Sequence, residues 1–526
     1  MVRTGADSVA QALAVKGIDT IYMVSGNQVL PLIDAVGRLG LRMVHLRHET
    51  AAVYAAIGAA ETTGRTSAVL VSAGPGFLAA LQGIGVAASM ELPLLLLSGS
   101  PATTAPDGAF QALDQERIAG ALCRASLTPA DAGQLHGSIS GAIDRATSGI
   151  PGPVHVRLPV DLLDASVEDS GSIPTQDVQR SARIDDRTLE ELDKVAQLLG
   201  NAERPAIIVR PSVARLPLLT TLAQRLGVTP IVAESPRGVS DLKYAEMIGA
   251  LREADCLLVI AAADFAVGFL AEQFIGRPRH VVVLDAPGDP IDPGAGYVRV
   301  RADTQMVLQF LNDRIARRSP MVESWTDTMS VGATPSTPDS DDGLMHPLAV
   351  AAALRDVLMQ DDVIVLDGGE FCQWVRFGLR NVPNLTLWNG KLGAIGGAIP
   401  MAIGVAATQT AGRVFAILGD GSAGYHLSEF ETAARYGLPI VAVIGNDARW
   451  AAEWHMQVGR YGRERAFATE LTYARYELAA EGFGGVGFGA DDAPGLTSAL
   501  RSALASTHPA CVNVRVASVR NPAVVH

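Results

Sequence analysis

Two short segments carry residue types that could bind an anion through a metal. Gly419-Asp420-Gly421-Ser422 follows the apolar run 414–418, and Asn446-Asp447-Ala448 closes the next apolar run. Gly419, Gly421 and Gly424 satisfy G-x-G-x-x-G, the spacing of a dinucleotide loop, with Asp447 able to pass for the ribose-binding acid. Asp420 argues against that reading, because its carboxylate would lie beside a pyrophosphate with no protein cation to offset the repulsion. A divalent cation joining the two removes the conflict. Mg²⁺ takes hard oxygen ligands and commonly bridges diphosphate oxygens, so Asp420, the amide oxygen of Asn446 and the backbone carbonyl of Ala448 make a candidate ligand set. The N–H groups at Gly421 and Ser422, at the start of a helix-like stretch, would face the same phosphates.

These segments need elements to position them, and the chain supplies a distant internal repeat. One copy runs through a strand-like stretch at 67–72, the loop Gly74-Pro75-Gly76, a helix-like stretch at 77–90, Leu92-Pro93, and a strand ending at Ser98-Gly99. The other runs through 414–418, Gly419-Asp420-Gly421, a helix at 425–436, Leu438-Pro439, and a strand ending at Gly445-Asn446. The shared spacing predicts two related βαβ units with parallel strands and right-handed crossovers. Between them, strand-like runs at 205–210, 229–233, 255–260 and 280–285, with a helix near 216–226, predict another parallel sheet. The expected fold is α/β, with three doubly wound parallel-sheet domains at 1–165, 182–320 and 343–526. Polar stretches at 166–181 and 319–342 serve as linkers.

Composition narrows the function. A chain of 526 residues exceeds one core. A formal net charge of −13 without clustered Lys and Arg excludes a general nucleic-acid binder. Cys123, Cys256, Cys372 and Cys511 lie far apart, without a C-x-x-C pair, and read as buried thiols in a reducing compartment. The first 16 residues mix charge with apolar residues at helical spacing, unlike a signal or transit peptide, and the longest apolar run is far short of the roughly 20 residues of a membrane span. A cytoplasmic protein without a membrane partner is expected.

Further motifs recur in order along the chain: Arg47-His48-Glu49 before an Ala-rich helix, Ser72-Ala73-Gly74-Pro75-Gly76-Phe77, Ala109-Phe110-Gln111, the segment 151–159, and Gly390 to Gly396. Together with Gly419-Asp420-Gly421 and Asn446, they resemble the thiamine-diphosphate-dependent enzymes, and among these the acetolactate synthase catalytic subunit. Gly445 replaces the first Asn of the family's N-N pair, and the second carries the ligand role. The resemblance implies thiamine diphosphate and Mg²⁺ as cofactors. Pro75, Gly76, Gln373, Gly419, Gly421, Ser422 and Asn446 would contact the cofactor, and Ile395 would be the wedge that folds its two rings into a V. Glu49 would share a proton with the aminopyrimidine, so that the cofactor acts as its own base. In this family that acid faces the metal site across a subunit interface, so a homodimer is the smallest active form and a homotetramer is common.

The reaction is less constrained. Pyruvate-decarboxylase-like and benzoylformate-decarboxylase-like relatives carry His residues that protonate intermediates, whereas the corresponding stretches here, 102–106 and 70–72, hold none. That makes the pocket more like those of carboligases and lyases, and the leading expectation from the resemblance is a carboligase or decarboxylase acting on a 2-oxo acid, with a small acyl substrate as the alternative. Gln111 matches a Gln that lines the pocket in acetolactate-synthase-like and benzaldehyde-lyase-like enzymes and is a candidate catalytic residue. Asn27 and Gln28 replace a Gly-Gly pair near the substrate entrance, while Trp450 and Trp454 follow the metal loop as candidate pocket walls. His426 is a candidate proton carrier or a surface residue at a helix start. The pattern that holds FAD in acetolactate synthases is replaced by Ala261 to Gly268 and by Arg210-Pro211-Ser212, so the resemblance does not carry FAD over. Alternatives are a 2-hydroxyacyl-CoA lyase, an oxalyl-CoA-decarboxylase-like or benzaldehyde-lyase-like enzyme, and a catalytically silent cofactor-binding relative.

Overall fold

The computed structural model describes residues 3–167, 185–233, 251–260, 280–285, 298–316, 337–338, 343–380, 382, 384–390, 392–409 and 412–521. Nearly all of both expected linkers, and the segment 261–268 weighed for flavin, lie outside the described residues.

The described strands form three wholly parallel sheets. The first contains β1 (Thr20–Met23), β2 (Arg42–His45), β3 (Ser67–Val71), β4 (Leu94–Ser100), β5 (Ala125–Leu127) and β6 (Val154–Pro159), in the order β2-β1-β3-β4-β6-β5. The central sheet contains β7 (Pro205–Val209), β8 (Ile231–Val232), β9 (Cys256–Ile260), β10 (His280–Asp285) and β11 (Val298–Arg301), in the order β11-β10-β9-β7-β8. The third contains β12 (Val363–Leu366), β13 (Thr386–Trp388), β14 (Val414–Gly419), β15 (Ile440–Asn446), β16 (Val486–Ala490) and β17 (Ala510–Arg515), in the order β13-β12-β14-β15-β17-β16. Numbered from its own first strand, the third sheet repeats the order of the first, so the repeat in the sequence is a repeat of topology. In both, the order reverses between the first and third strands. Ligands of open α/β sheets bind beyond the carboxyl ends at such a reversal.

The chain divides into two compact units, residues 1–175 with 335–521, and 176–334 with 522–526. In the first unit, the alternation of side chains across β3 feeds two cores. Val69 and Val71 join one cluster, and Ala68 and Leu70 the other. The first of these clusters also contains β12, β14 and β15 residues, so the first and third sheets share a core. Its centre is the helix Glu49–Thr63 against the helix Ala398–Thr408. Every residue from Thr50 to Ala60 is buried, as expected of a helix that is apolar all round. Contact is made by backbone: a Cβ at Gly404 would overlap the carbonyl of Ala55.

The helix expected at 425–436 is two helices, Asp420–His426 and Glu429–Arg435. The break leaves the first helix short and begins it at Asp420 itself. All four cysteines are buried and free.

Candidate active site

The loops after β12, β14 and β15 converge at the carboxyl edge of the third sheet. Asp420 is the first residue of its helix and only 2 % exposed. Its carboxylate accepts the N–H groups of Gly421 at 2.9 Å and Arg449 at 3.2 Å. Tyr476 donates its hydroxyl to the Asp420 carbonyl at 2.9 Å, fixing the backbone as well. Burial, and then the neighbouring Asp447, push the Asp420 carboxyl up to about 7. Asp447 is raised too, chiefly by burial. Asp447 has Ser518 and Arg449 beside it, whereas among the described residues Asp420 has only backbone donors, and a cation held between protein and ligand would offset the charge of the pair.

Asn446, at the end of β15, is buried. Its Nδ2 donates to the Ala474 carbonyl at 3.0 Å and to Asn513 Oδ1 at 3.2 Å. Both amide hydrogens are thereby spent, and among the described residues Oδ1 meets only the Ala448 N–H at 3.3 Å, leaving it capacity as a hard oxygen ligand. Ala448 sits in the left-handed region at φ 55°, a strained backbone of the kind that clusters at ligand loops. Its carbonyl accepts the Leu471 N–H at 2.7 Å and keeps a second lone pair. Among the described residues no group of three or more His, Cys, Asp or Glu could hold a metal alone. One carboxylate, one amide oxygen and one carbonyl suit Mg²⁺ that brings phosphate oxygens with it.

Glycine is required twice here. A Cβ at Gly421 would sit 2.7 Å from the Trp450 ring, so Trp450 lies on the candidate diphosphate loop. A Cβ at Gly445 would overlap the Phe371 ring, which explains why Gly stands where the family has Asn. Trp454 stacks instead under Arg449, 4.7 Å from ring centre to guanidinium carbon. Gln373 is buried in the second turn of the helix Glu370–Gly378, directly after β12.

Asp367, which the sequence reading passed over, organises the neighbouring loop. It is fully buried at the end of β12 and accepts N–H groups from Gly368 at 2.8 Å, Gly396 at 3.0 Å and Ala398 at 2.9 Å, with Asn389 Nδ2 at 3.1 Å. Ile395 is thereby held between anchored residues, and a Cβ at Gly368 would lie 2.9 Å from its Cγ2. The Ser422 hydroxyl also bonds Asp367, so toward a diphosphate Ser422 offers its backbone N–H. His426 is buried rather than on the surface; its Nδ1–H donates to the Gly396 carbonyl at 2.6 Å, and burial holds its ring below the usual range. An Asp-Gly-Gly directly after an apolar strand, Asp367-Gly368-Gly369, is the signal that would have found Asp367.

At the first sheet, Glu49 opens its helix half-buried. Pro75 and Gly76 begin the facing helix Pro75–Ser89, and a Cβ at Gly76 would lie 3.1 Å from Glu49 Oε1. The approach to Glu49 is tied down by Glu429, a second residue not anticipated: its buried carboxylate accepts the Arg47 N–H at 3.0 Å. Beyond the same strand ends lie Gln28, Ser72 and Gln111. Gln28 Nε2 donates to Gln111 Oε1 at 2.8 Å, and the Ser72 hydroxyl donates to Gln28 Oε1 at 2.9 Å. Asn27 and Gln28 lie together in a short 3₁₀ turn after β1.

Residues 3–118 match the family described as thiamine pyrophosphate enzyme, N-terminal TPP binding domain. Residues 367–514, starting at Asp367, match its C-terminal TPP binding domain. Among individual proteins, 2-hydroxyacyl-CoA lyase 2 of Danio rerio is 25 % identical over 95 % of this chain and 89 % of its own length. The Mus musculus protein of the same name is 26 % identical, over 92 % and 85 %. Acetolactate synthase large subunit IlvG of Mycobacterium tuberculosis is 26 % identical over 96 % of this chain and 94 % of its own.

Proposed function

The chain belongs to the thiamine-diphosphate-dependent enzymes that make or break C–C bonds, and from that premise we propose that it is a Mg²⁺-dependent carboligase or decarboxylase acting on a 2-oxo acid. The observation that carries the metal is the buried Asp420 beside Asp447, together with an Asn446 oxygen left available by its own amide hydrogens. Asp420, Asn446 and the Ala448 carbonyl hold Mg²⁺. Backbone N–H groups at Gly421 and Ser422 meet the diphosphate, with Gly419 opening the loop and Gln373 alongside. Thiamine diphosphate, when bound, supplies a carbanion equivalent and an electron sink. Glu49 holds and returns a proton at the pyrimidine ring, and Pro75 and Gly76 leave room for that ring. Asp367 and Asn389 fix the loop that carries Ile395, the residue that would wedge between the cofactor's rings, and Trp450 lies against Gly421 of the loop that would take the diphosphate.

A homodimer is the smallest active form in this reading and a homotetramer its usual assembly. Support comes from apolar side chains left exposed on elements around the site: Leu78, Phe110, Leu392 and Tyr425. We place the protein in the cytoplasm; no helix among the described residues is long and apolar enough to cross a membrane.

The second reading is cleavage of a 2-hydroxyacyl thioester, favoured by the relatives that carry a 2-hydroxyacyl-CoA lyase name along most of their length. Holoenzyme incubated separately with a panel of 2-oxo acids and with a 2-hydroxyacyl-CoA distinguishes the two by mass spectrometry of products. Condensed or decarboxylated products from a 2-oxo acid support the first reading. Aldehyde and a shortened acyl-CoA from the thioester alone would replace it with the second.

A further inference from the structure

Resting on that reading, we propose that Gln28 is a positioning residue that sets the polarity of Gln111, so that the pocket selects substrates presenting an acceptor-only oxygen, such as a ketone, at that point. Three observations in the first domain carry it. The first is a one-way chain of hydrogen bonds: Ser72 Oγ–H to Gln28 Oε1 at 2.9 Å, then Gln28 Nε2–H to Gln111 Oε1 at 2.8 Å. An amide whose oxygen is already engaged turns its NH₂ outward, and NH₂ can only donate. Gln111 thus shows two N–H donors to whatever approaches.

The second is strain. Gln111 has φ 61°, in the left-handed region that is strained for a non-glycine residue and persists only where surroundings enforce it. The enforcement is visible: Gly74, itself at φ 55°, would carry a Cβ only 3.0 Å from Gln111 Cβ. The backbone that begins the Pro75 helix is therefore pressed against Gln111, which couples the Gln111 side chain to the loop beside Glu49. The third is the housing of Gln28. It lies in the 3₁₀ turn Asn27–Val29, and a Cβ at Gly99 would come within 2.8 Å of Gln28 Cβ. The strand end at Gly99 is thus open only enough to seat this side chain, and a Gly at position 28 would leave Gln111 without its partner.

A fixed N–H donor recognises a ketone oxygen and, as charge builds there during attack at the carbonyl carbon, binds it more strongly. A 2-hydroxyl whose proton must be removed gains nothing from a second donor. The chain of amides thereby favours the 2-oxo acid direction at this site.

The test reverses the polarity. In Gln28→Glu, an acceptor faces Gln111, whose amide must turn its NH₂ inward and show its oxygen to the pocket. In Gln28→His, a ring N–H keeps a donor in place. Holoenzyme is titrated calorimetrically with methyl acetylphosphonate, which carries the ketone and negative charge of pyruvate but no carboxylate to lose. Proton exchange at the cofactor's thiazolium carbon is followed in parallel. The expected result is at least tenfold weaker binding in Gln28→Glu and binding within threefold of wild type in Gln28→His, with rapid exchange in wild type showing that the bound cofactor is active. In the Gln111→Leu background the effect of Gln28→Glu should vanish, since nothing remains to be turned. Equal binding by Gln28→Glu and wild type, equal losses in both Gln28 variants, an undiminished effect in the Gln111→Leu background, or no binding by wild type overturns the proposal. Failure of wild-type holoenzyme to exchange the thiazolium proton would instead overturn the functional reading, while the difference between the two Gln28 variants still decides the polarity.

Discussion

Replacing Asp420 by Asn should make the cofactor-free protein more stable while removing its ability to hold Mg²⁺ and the diphosphate. Burial and Asp447 lift this carboxyl from 3.8 to about 7. At about 1.4 kcal/mol per unit, a shift of that size costs the ionised, cofactor-free fold roughly 4 kcal/mol. Because the folded value is the higher one, the contribution of this group to stability is fully present below about pH 4 and is lost as pH rises through about 7. Asn does not ionise, so it avoids the loss. Gly421 and Arg449 donate to different oxygens, so the amide NH₂ leaves one of these N–H groups without its acceptor, which returns about 1–2 kcal/mol. The net gain is about 2–3 kcal/mol at pH 8, shrinking toward zero near pH 4.5 as the ionisation penalty fades. Scanning calorimetry of cofactor-free wild type and Asp420→Asn at both pH values reads this as a melting difference of several degrees. Adding Mg²⁺ with thiamine diphosphate should stabilise only the wild type. A variant that melts below wild type at pH 8, or a difference independent of pH, refutes the argument that Asp420 is held at a cost for a cation.

Asp367→Asn should destabilise by about 1–3 kcal/mol, because an amide NH₂ is forced among the N–H donors of Gly396, Ala398 and Asn389; chemical denaturation measures this, and cofactor affinity should fall with it as the Ile395 loop loosens. Gly404→Val should cost at least about 1–3 kcal/mol by wedging the helix Ala398–Thr408 from the helix Glu49–Thr63, and thermal melts showing wild-type stability would contradict the backbone contact.

Legibility in the sequence followed from how local each feature is. The repeat of strand, Gly-x-Gly, helix, Leu-Pro and strand was readable because each part lies within about 35 residues, and it gave the parallel βαβ unit of each sheet, while the full strand order belongs to the fold. Asp420, Asn446 and Glu49 stood out because a charged or amide group at a strand or helix end has few local uses. Asp367 did not, since its partners at Gly396 and Ala398 lie about 30 residues on and become visible only when the segment entering the helix Ala398–Thr408 is folded back over the end of β12. The helix Glu49–Thr63 reads as apolar on every face, but nothing local names its partner helix more than 300 residues away. Gly445 looked like a departure from a motif until Phe371, on a neighbouring helix, was found filling the space. Gln28 and Gln111 were singled out separately, and the bond between them belongs to the fold.

The central claim is that Glu49 activates a bound thiamine diphosphate, and quenched-flow NMR of thiazolium-carbon proton exchange in holoenzyme tests it most directly. Wild type should exchange rapidly. Glu49→Gln keeps the shape of the side chain at the start of its helix but cannot share a proton, so it should bind cofactor nearly as well and exchange roughly a hundred- to ten-thousand-fold more slowly. Exchange at the wild-type rate in Glu49→Gln would contradict the account.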